Sequence, residues 1–315
     1  MREELSDPEL AGAGLHGAQL RLVPLRRGPF AASSSSFLLE DMTLQVGACS
    51  AHMCLAAVAP DRGLLHLSLN PDENLLINGV ASGPRSFGLY GSGAEVLRSS
   101  EHDVQFALVT FSTALVGTLA EATAGEALLR PGSHTLLRPS TSAWAKITSL
   151  ARAAGAMVLE APMVFEGEQP RQALRETLLQ AFHELVASVG NDAPVSPPRS
   201  SRARKRIVFA ADEYLRAHVD RPIYTTQLCR ALGVSASALS EAFQSTSMIS
   251  PHRFLKQRRL GMVRSVLLSR EGPRPMVKSV ALSHGFWHLG QFAQDYRNAF
   301  GEAPSATLER IRGTA

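Results

Sequence analysis

The sequence predicts an α+β multidomain protein. A β-barrel or sandwich with trailing helices occupies residues 1–190, a linker 191–206, and an all-α domain with two helix-turn-helix units 207–315. Three observations carry this expectation. Up to about residue 111, short apolar or alternating runs are separated by turn signals, and after about 113 the apolar residues recur at a helical period. The stretch NDAPVSPPRSSRARKR, rich in Pro, Ser and Arg, divides the chain. Charge divides at the same place: residues 1–190 hold 13 Lys+Arg against 19 Asp+Glu, a net of −6, and residues 206–315 hold 15 against 8, a net of +7. A C-terminal half so basic is suited to a polyanion.

Composition sets the outer bounds. A chain of 315 residues with 45% apolar and 19% charged residues is an ordinary globular composition, long enough for two cores. No apolar run approaches the ~18 residues of a membrane span, and the start MREELSDPEL lacks a signal-peptide apolar region, so a cytoplasmic protein with no membrane contact is expected. Cys49, Cys54 and Cys229 are too few, and odd in number, for a disulfide framework, and are read as buried thiols.

The strand candidates are SFLLEDMTLQVGAC, GLLHLSLN, NLLINGV, RSFGLYGSG and VQFALVTF, bounded by Pro-Asp, Asn-Pro-Asp, Gly-Pro and Gly-Ser-Gly signals. The trailing helices are WAKITSLARAAGAMV and RQALRETLLQAFHELVAS, the second with Leu174, Leu178, Leu179, Phe182, Leu185 and Val186 on one face. They either cap the β layer or face a second subunit. The linker, as a flexible coil of about 15 residues, would span roughly 20 Å and let the halves move, with RSSRARKR available to phosphate.

Downstream the pattern is helical. A helix over 206–217 is followed by TTQLCRALGVSASALSEAFQST, in which Thr225 or Thr226 caps a helix carrying Leu228 and Leu232. Gly233 then supplies a turn and Ser235 caps a second helix, with Leu239, Ala242 and Phe243 inward. Next, PHRFLKQRRLGMVRSVLL reads as one helix of about 18 residues, hence roughly 27 Å, close to the ~34 Å repeat of the DNA major groove. MVKSVALSHGF and LGQFAQDYRNAF repeat the helix-turn-helix, with Gly285 at the turn. In the last helix Leu289, Phe292, Ala293, Tyr296, Ala299 and Phe300 form an apolar stripe, opposite His288, Gln291, Gln294 and Asn298. Such neutral side chains donate and accept hydrogen bonds, where a merely solvated face would be filled with Lys and Glu. Trp287 is expected to pack.

LGVSASALSEAF, SPHRFLKQRRLGMVRSVLL and VKSVALSHGFWHLGQFAQDYRNAFGEAPSATL together resemble the DNA-binding domain of AraC/XylS-family bacterial transcription regulators. The wording GFWHLGQFAQDY is similar in particular to regulators of ethanolamine use and of xylene/toluate degradation. The resemblance implies a cupin-like N-terminal domain, double-stranded DNA read in the major groove, RNA polymerase as a partner, a small-molecule effector and a homodimer. It implies base or phosphate contacts by Ser235, Ser237, Ser240, Glu241 and Gln244 in the first reader and by His288, Gly290, Gln291 and Gln294 in the second. Arg259, in the family's Arg-Leu motif, either meets phosphate or braces the connector helix. Many relatives have Arg where Gln294 stands, so adenine rather than guanine is expected at that step. Glu241 stands where some relatives are basic, which favours cytosine N4 and disfavours phosphate.

No catalytic residues, cofactor or metal are expected. His52, His66, His102 and His134 are isolated in sequence, with none of the His-x-His pairing of metal-binding cupins, and no P-loop, G-x-S-x-G or dinucleotide fingerprint is present. The expected function is an effector-responsive activator of a catabolic operon. The alternatives are a constitutive DNA-binding protein whose N-terminal half only dimerises, and an enzyme carrying a DNA-binding module.

Overall fold

The computed structural model describes residues 2–5, 8–13, 16–26, 28–115, 130–189, 198–218, 221–269 and 275–310. Residues 191–197 of the expected linker and 116–129 of the trailing region lie outside them. The N-terminal half contains β1 (Arg2–Leu5), β2 (Ala18–Pro24), β3 (Ala32–Leu39), β4 (Met42–Cys49), β5 (His52–Val58) and β6 (Arg62–Ser68). These are followed by β7 (Leu76–Ile77), β8 (Val80–Ala81), β9 (Phe87–Tyr90), β10 (Glu95–Ser100), β11 (Val104–Ser112) and β12 (His134–Leu137). A short helix α1 (Pro8–Ala13) separates β1 from β2.

The strands form two antiparallel sheets, ordered β1-β3-β4-β11-β6-β9-β12 and β2-β5-β10-β7-β8. They lie face to face as a sandwich rather than joining into one closed barrel. SFLLEDMTLQVGAC is a hairpin, β3 and β4, folded at Glu40 with φ 56. In NLLINGV, Asn78 (φ 50) and Gly79 (φ 78) make the doubly left-handed turn that Asn-Gly favours. The expected runs omit β1, β2, β5, β10 and β12. Of these, β5 and β10 are covered on two sides, so HMCLAAV in β5 is almost continuously apolar and shows no alternation.

The architecture is a stack of four layers. Helices α2 (Thr141–Glu160) and α3 (Glu168–Ala187) lie on the outer face of the seven-stranded sheet, where Ile147, Leu178, Phe182 and Leu185 meet Phe37, Leu44, Leu65 and Leu67. They thus cap the β layer, one of the two placements the sequence leaves open. Inner faces of the two sheets enclose a second core containing Leu64, Tyr90, Val96 and Leu108. The outer face of the five-stranded sheet carries the C-terminal half, so Val23, Met53, Leu55 and Leu97 share one core with Val208, Leu228, Phe243 and Phe254.

This shared core corrects the picture of two halves joined by a loose linker. The helix α4 (Arg199–Ala217) starts directly after Pro198, so residues 199–206 are helical, not linker, and the helix expected at 206 begins earlier. Physically, Ala, Arg and Lys are good helix formers, and Ser201, Val208, Ala211 and Leu215 give α4 a buried stripe. Lys205 Nζ donates to the carbonyl of Glu95 (2.9 Å), and the Arg21 guanidinium approaches Asp212 (2.5 Å). That second pair is close but not aligned as a hydrogen bond, and burial raises the Asp212 pKa against the opposing pull of Arg21.

The remaining helices are α5 (Thr225–Leu232), α6 (Ala236–Ser247), α7 (Pro251–Leu268), α8 (Val277–Ser283), α9 (Leu289–Phe300) and α10 (Pro304–Arg310). Neither Thr225 nor Thr226 caps α5. Tyr224 occupies that position, and its N–H donates to the Gln227 side chain (3.0 Å). Among the described residues, no helix is long and apolar enough to cross a membrane.

Candidate nucleic-acid interface

Two helix-turn-helix units flank the connector α7. In the first, Gly233 (φ 64) closes α5 in the left-handed conformation and Ser235 opens α6, its Oγ accepting from the Ala238 N–H (3.1 Å). The Ser235 and Ser237 hydroxyls are hydrogen-bonded at 3.0 Å. Leu239, Ala242 and Phe243 are fully buried, which turns Ser237, Glu241 and Gln244 to solvent and leaves Ser240 half-buried. Glu241 is ion-paired with Arg204 of α4, which offsets the charge that would repel phosphate.

In the second unit, Phe292, Tyr296 and Ala299 face a core shared with Leu260, Val263, Val280 and Phe286. This leaves His288, Gly290, Gln291 and Gln294 exposed along one side of α9. Open space surrounds the missing side chain of Gly290. Gly285 (φ 78) makes the turn, and a Cβ there would lie 2.5 Å from the Tyr224 hydroxyl. Lys256 to Asp295 (3.0 Å) and Arg264 to Glu302 (2.9 Å) tie the connector to α9 and to the loop behind it. Tyr296 Oη donates to Thr307 Oγ1 at 2.9 Å, fastening α10.

Nine of the ten expected contact residues therefore stand on the two reader elements, with Ser240 the least exposed of them. The tenth, Arg259, does not. It is 9% exposed, with its guanidinium carbon 5.2 Å from the Tyr224 ring centre and 5.1 Å from that of Phe286. Burial lowers its pKa, and two aromatic faces hold the cation from either side. Arg259 braces the connector between the two units and is not available to phosphate in this arrangement. Trp287 corrects the reading in the other direction. Expected to pack, it is 71% exposed immediately before the second reading helix.

A cavity of about 790 Å³, its mouth included, lies between the two sheets. Its walls are mainly apolar, among them Leu20, Leu22, Leu64, Phe106 and Leu108, with Leu5 and Ala11 lining it from the N-terminal segment. Ser33, Ser34, Gln45 and Tyr90 add polar groups, and the charged side chain of the lining is Arg98 on β10, which donates from Nη1 to His66 Nε2 (2.6 Å) and from Nη2 to His52 Nε2 (2.8 Å). His52 Nδ1 lies 2.7 Å from the Ser50 carbonyl, which assigns the proton to Nδ1 and leaves Nε2 as the acceptor. Burial first, and the charge of Arg98 second, hold both imidazoles neutral, pushing His52 down to about 3 and His66 well below its ordinary value. Isolated in sequence, these two histidines are brought together in space. The available signal was Arg98 within the apolar run AEVLRSS.

The five-stranded sheet is the wall between this cavity and the first reader. On β2, β5 and β10, Leu22, Cys54, Val96 and Arg98 line the cavity. Their neighbours Val23, Met53, Leu55 and Leu97 enter the core shared with the reader. This is the period-two alternation of a strand used on both faces.

Comparison with known proteins agrees with the geometry of the C-terminal half. Residues 228–310 match the family described as a helix-turn-helix domain. The chain is 33% identical over 134 residues to the probable thc operon regulatory protein of Rhodococcus erythropolis, covering 42% of this chain and 38% of that one. It is 30% identical over 100 residues to the XylDLEGF operon transcriptional activator of Pseudomonas putida, covering 32% and 31%. The matches thus span about a third of these relatives' length. Among solved structures, the AraC-like transcriptional activator CuxR aligns over 82% of this chain and 94% of that one at 14% identity, with a TM-score of 0.42.

Proposed function

We propose that this chain, whose C-terminal half is an AraC/XylS-type double helix-turn-helix domain, is a sequence-specific transcription regulator that answers a small-molecule effector. The observation that carries the reading is the pair of exposed, largely neutral helix faces, Ser237 to Gln244 and His288 to Gln294, at the two ends of one 18-residue connector. Each face is held by a buried core behind it, so its side chains are presented on rigid helices. The connector, roughly 27 Å long, suits successive turns of the major groove.

On DNA, Ser235 and Ser237 at the start of α6 meet phosphate, where helix N–H groups favour an anion. Gln244, Gln291 and Gln294 read base edges, Gln294 pairing with adenine N6 and N7. Activation follows by linkage: an effector that favours one placement of the sheet wall raises the population in which both readers engage DNA. Recruitment of RNA polymerase, a homodimer and the catabolic operon belong to the same proposal, supported by the operon regulators among the relatives. The division at residues 190 and 207 is retained as a functional boundary, although the two sides share a core.

Substitution Gln294→Ala tests the reading. It should cost ~1 to 3 kcal/mol of affinity for the cognate operator and relax preference at one base pair, measured by binding to a set of single-base operator variants. An equal loss on every sequence would mean that Gln294 reads no base.

A further inference from the structure

The cavity raises a question the effector reading leaves open: what kind of molecule suits it. Arg98 is a half-buried cation whose side-chain hydrogen-bond partners, among the described residues, are two neutral imidazoles. Glu73, close enough to feel its charge, is hydrogen-bonded to Ser68 and forms no ion pair with Arg98. Two of the five guanidinium N–H groups are used, which leaves three donors on a cation set in mainly apolar walls. A charge in such surroundings is costly unless an anion accompanies it. The imidazoles also hold the guanidinium in one orientation, which lowers the ordering cost of a planar, two-toothed partner.

We propose that the cavity binds a small monocarboxylate with an apolar tail, its oxygens taken by Arg98 between His52 and His66 and its tail lying against Leu20, Leu64 and Phe106. This rests on the effector reading above and adds its chemistry and its route. Leu97, next to Arg98 on β10, is fully buried on the opposite face, in the core shared with the first reader. The Leu97 N–H donates to Asn78 Oδ1 (2.9 Å), and its carbonyl accepts from the Asn78 N–H (2.7 Å). The adjoining Gly79 abuts α6, since a Cβ placed there would lie 3.1 Å from Thr246 Cγ2. A carboxylate that draws on Arg98 therefore acts on the strand and turn that support the first reading helix.

The test is direct binding to the full-length chain by calorimetry and thermal shift. Straight-chain monocarboxylates from butanoate to decanoate, and phenylacetate, are compared with their primary amides, which keep shape and lose charge. At least one acid should bind and raise the melting temperature, with its amide weaker by about thirty-fold, the order of cost of unpairing a hydrogen-bonded, partly desolvated charge. Arg98→Gln should reduce acid binding by a similar factor, and Arg98→Lys should retain part of it. If Arg98→Gln does not fold, the acid–amide comparison on the native chain and the Arg98→Lys variant decide the matter. Amides binding as well as acids, Arg98→Gln binding as well as the native chain, or no acid of the series binding would each overturn the proposal. DNA footprinting separates it from the wider reading: acid binding that leaves operator occupancy unchanged supports the carboxylate site and overturns the effector role.

Discussion

The two helix-turn-helix units look alike in sequence but are seated differently. The first has no core of its own: Leu228, Leu239, Phe243 and Phe254 interlock with Val23, Met53, Leu55 and Leu97 of the five-stranded sheet. The second closes on itself and the connector, through Val263, Phe286, Phe292 and Tyr296. Its backbone hydrogen bond to the N-terminal half runs from the Gly28 N–H to the Asn298 carbonyl (2.7 Å), at the far end of α9. A duplicated motif has thus been divided in labour by what lies behind it. The first reader is placed to feel the cavity, and the second to bind DNA with little regard to it.

Core truncations should give the largest contrast. Phe243→Ala and Phe292→Ala each remove a buried ring and should each cost ~3 to 5 kcal/mol. The first should lower the main urea transition of the N-terminal half together with the first reader. The second should speed amide exchange only over 277–310, and a loss of the same extent in both variants would erase the distinction.

Acid should act on the same division from the other side. An unfolded imidazole protonates near 6.5, whereas buried His52 waits until about 3 and His66 is also held low. The unfolded state therefore takes up protons first. Stability from these groups is complete above pH ~6.5 and falls as the pH drops toward 3, by at most ~1.4 kcal/mol per pH unit for each histidine. Denaturation followed at pH 7 and pH 5 should show the β-sandwich that holds these histidines weakening, with the second reader's own core changing less.

A smaller effect distinguishes the helix starts. The Ser235 side chain caps α6, whereas His288, before α9, makes no capping bond. Ser235→Ala should cost ~1 kcal/mol and His288→Ala little, as read from melting temperatures without DNA.

The DNA-binding half was largely legible because its signals are local. Gly233, Ser235 and Gly285 mark turns and a cap wherever they occur, and the connector spans Pro251 to Leu268 as the apolar period predicts. What escaped was long-range. The sequence leaves Arg259 either to meet phosphate or to brace the connector, and the choice rests on Tyr224 and Phe286, 35 positions before it and 27 after it, which close over it. His52, His66 and Arg98 belong to three strands, and only the sheet packing brings them to one point. The expectation that the linker reaches residue 206 failed over 199–206 for the same reason, because an Arg-rich segment shows its charge in sequence but not the Ser201, Val208 and Ala211 stripe that docks it.

The most direct measurement is hydrogen exchange on the full-length chain carrying Leu97→Ala, a change on the sheet that touches neither reading face. Faster exchange over 225–255 with 277–310 unaltered is the predicted result, since Leu97 belongs to the first reader's core alone. Unchanged protection over 225–255, or equal loss in both readers, would contradict the claim that the sheet wall speaks to one reader and not the other.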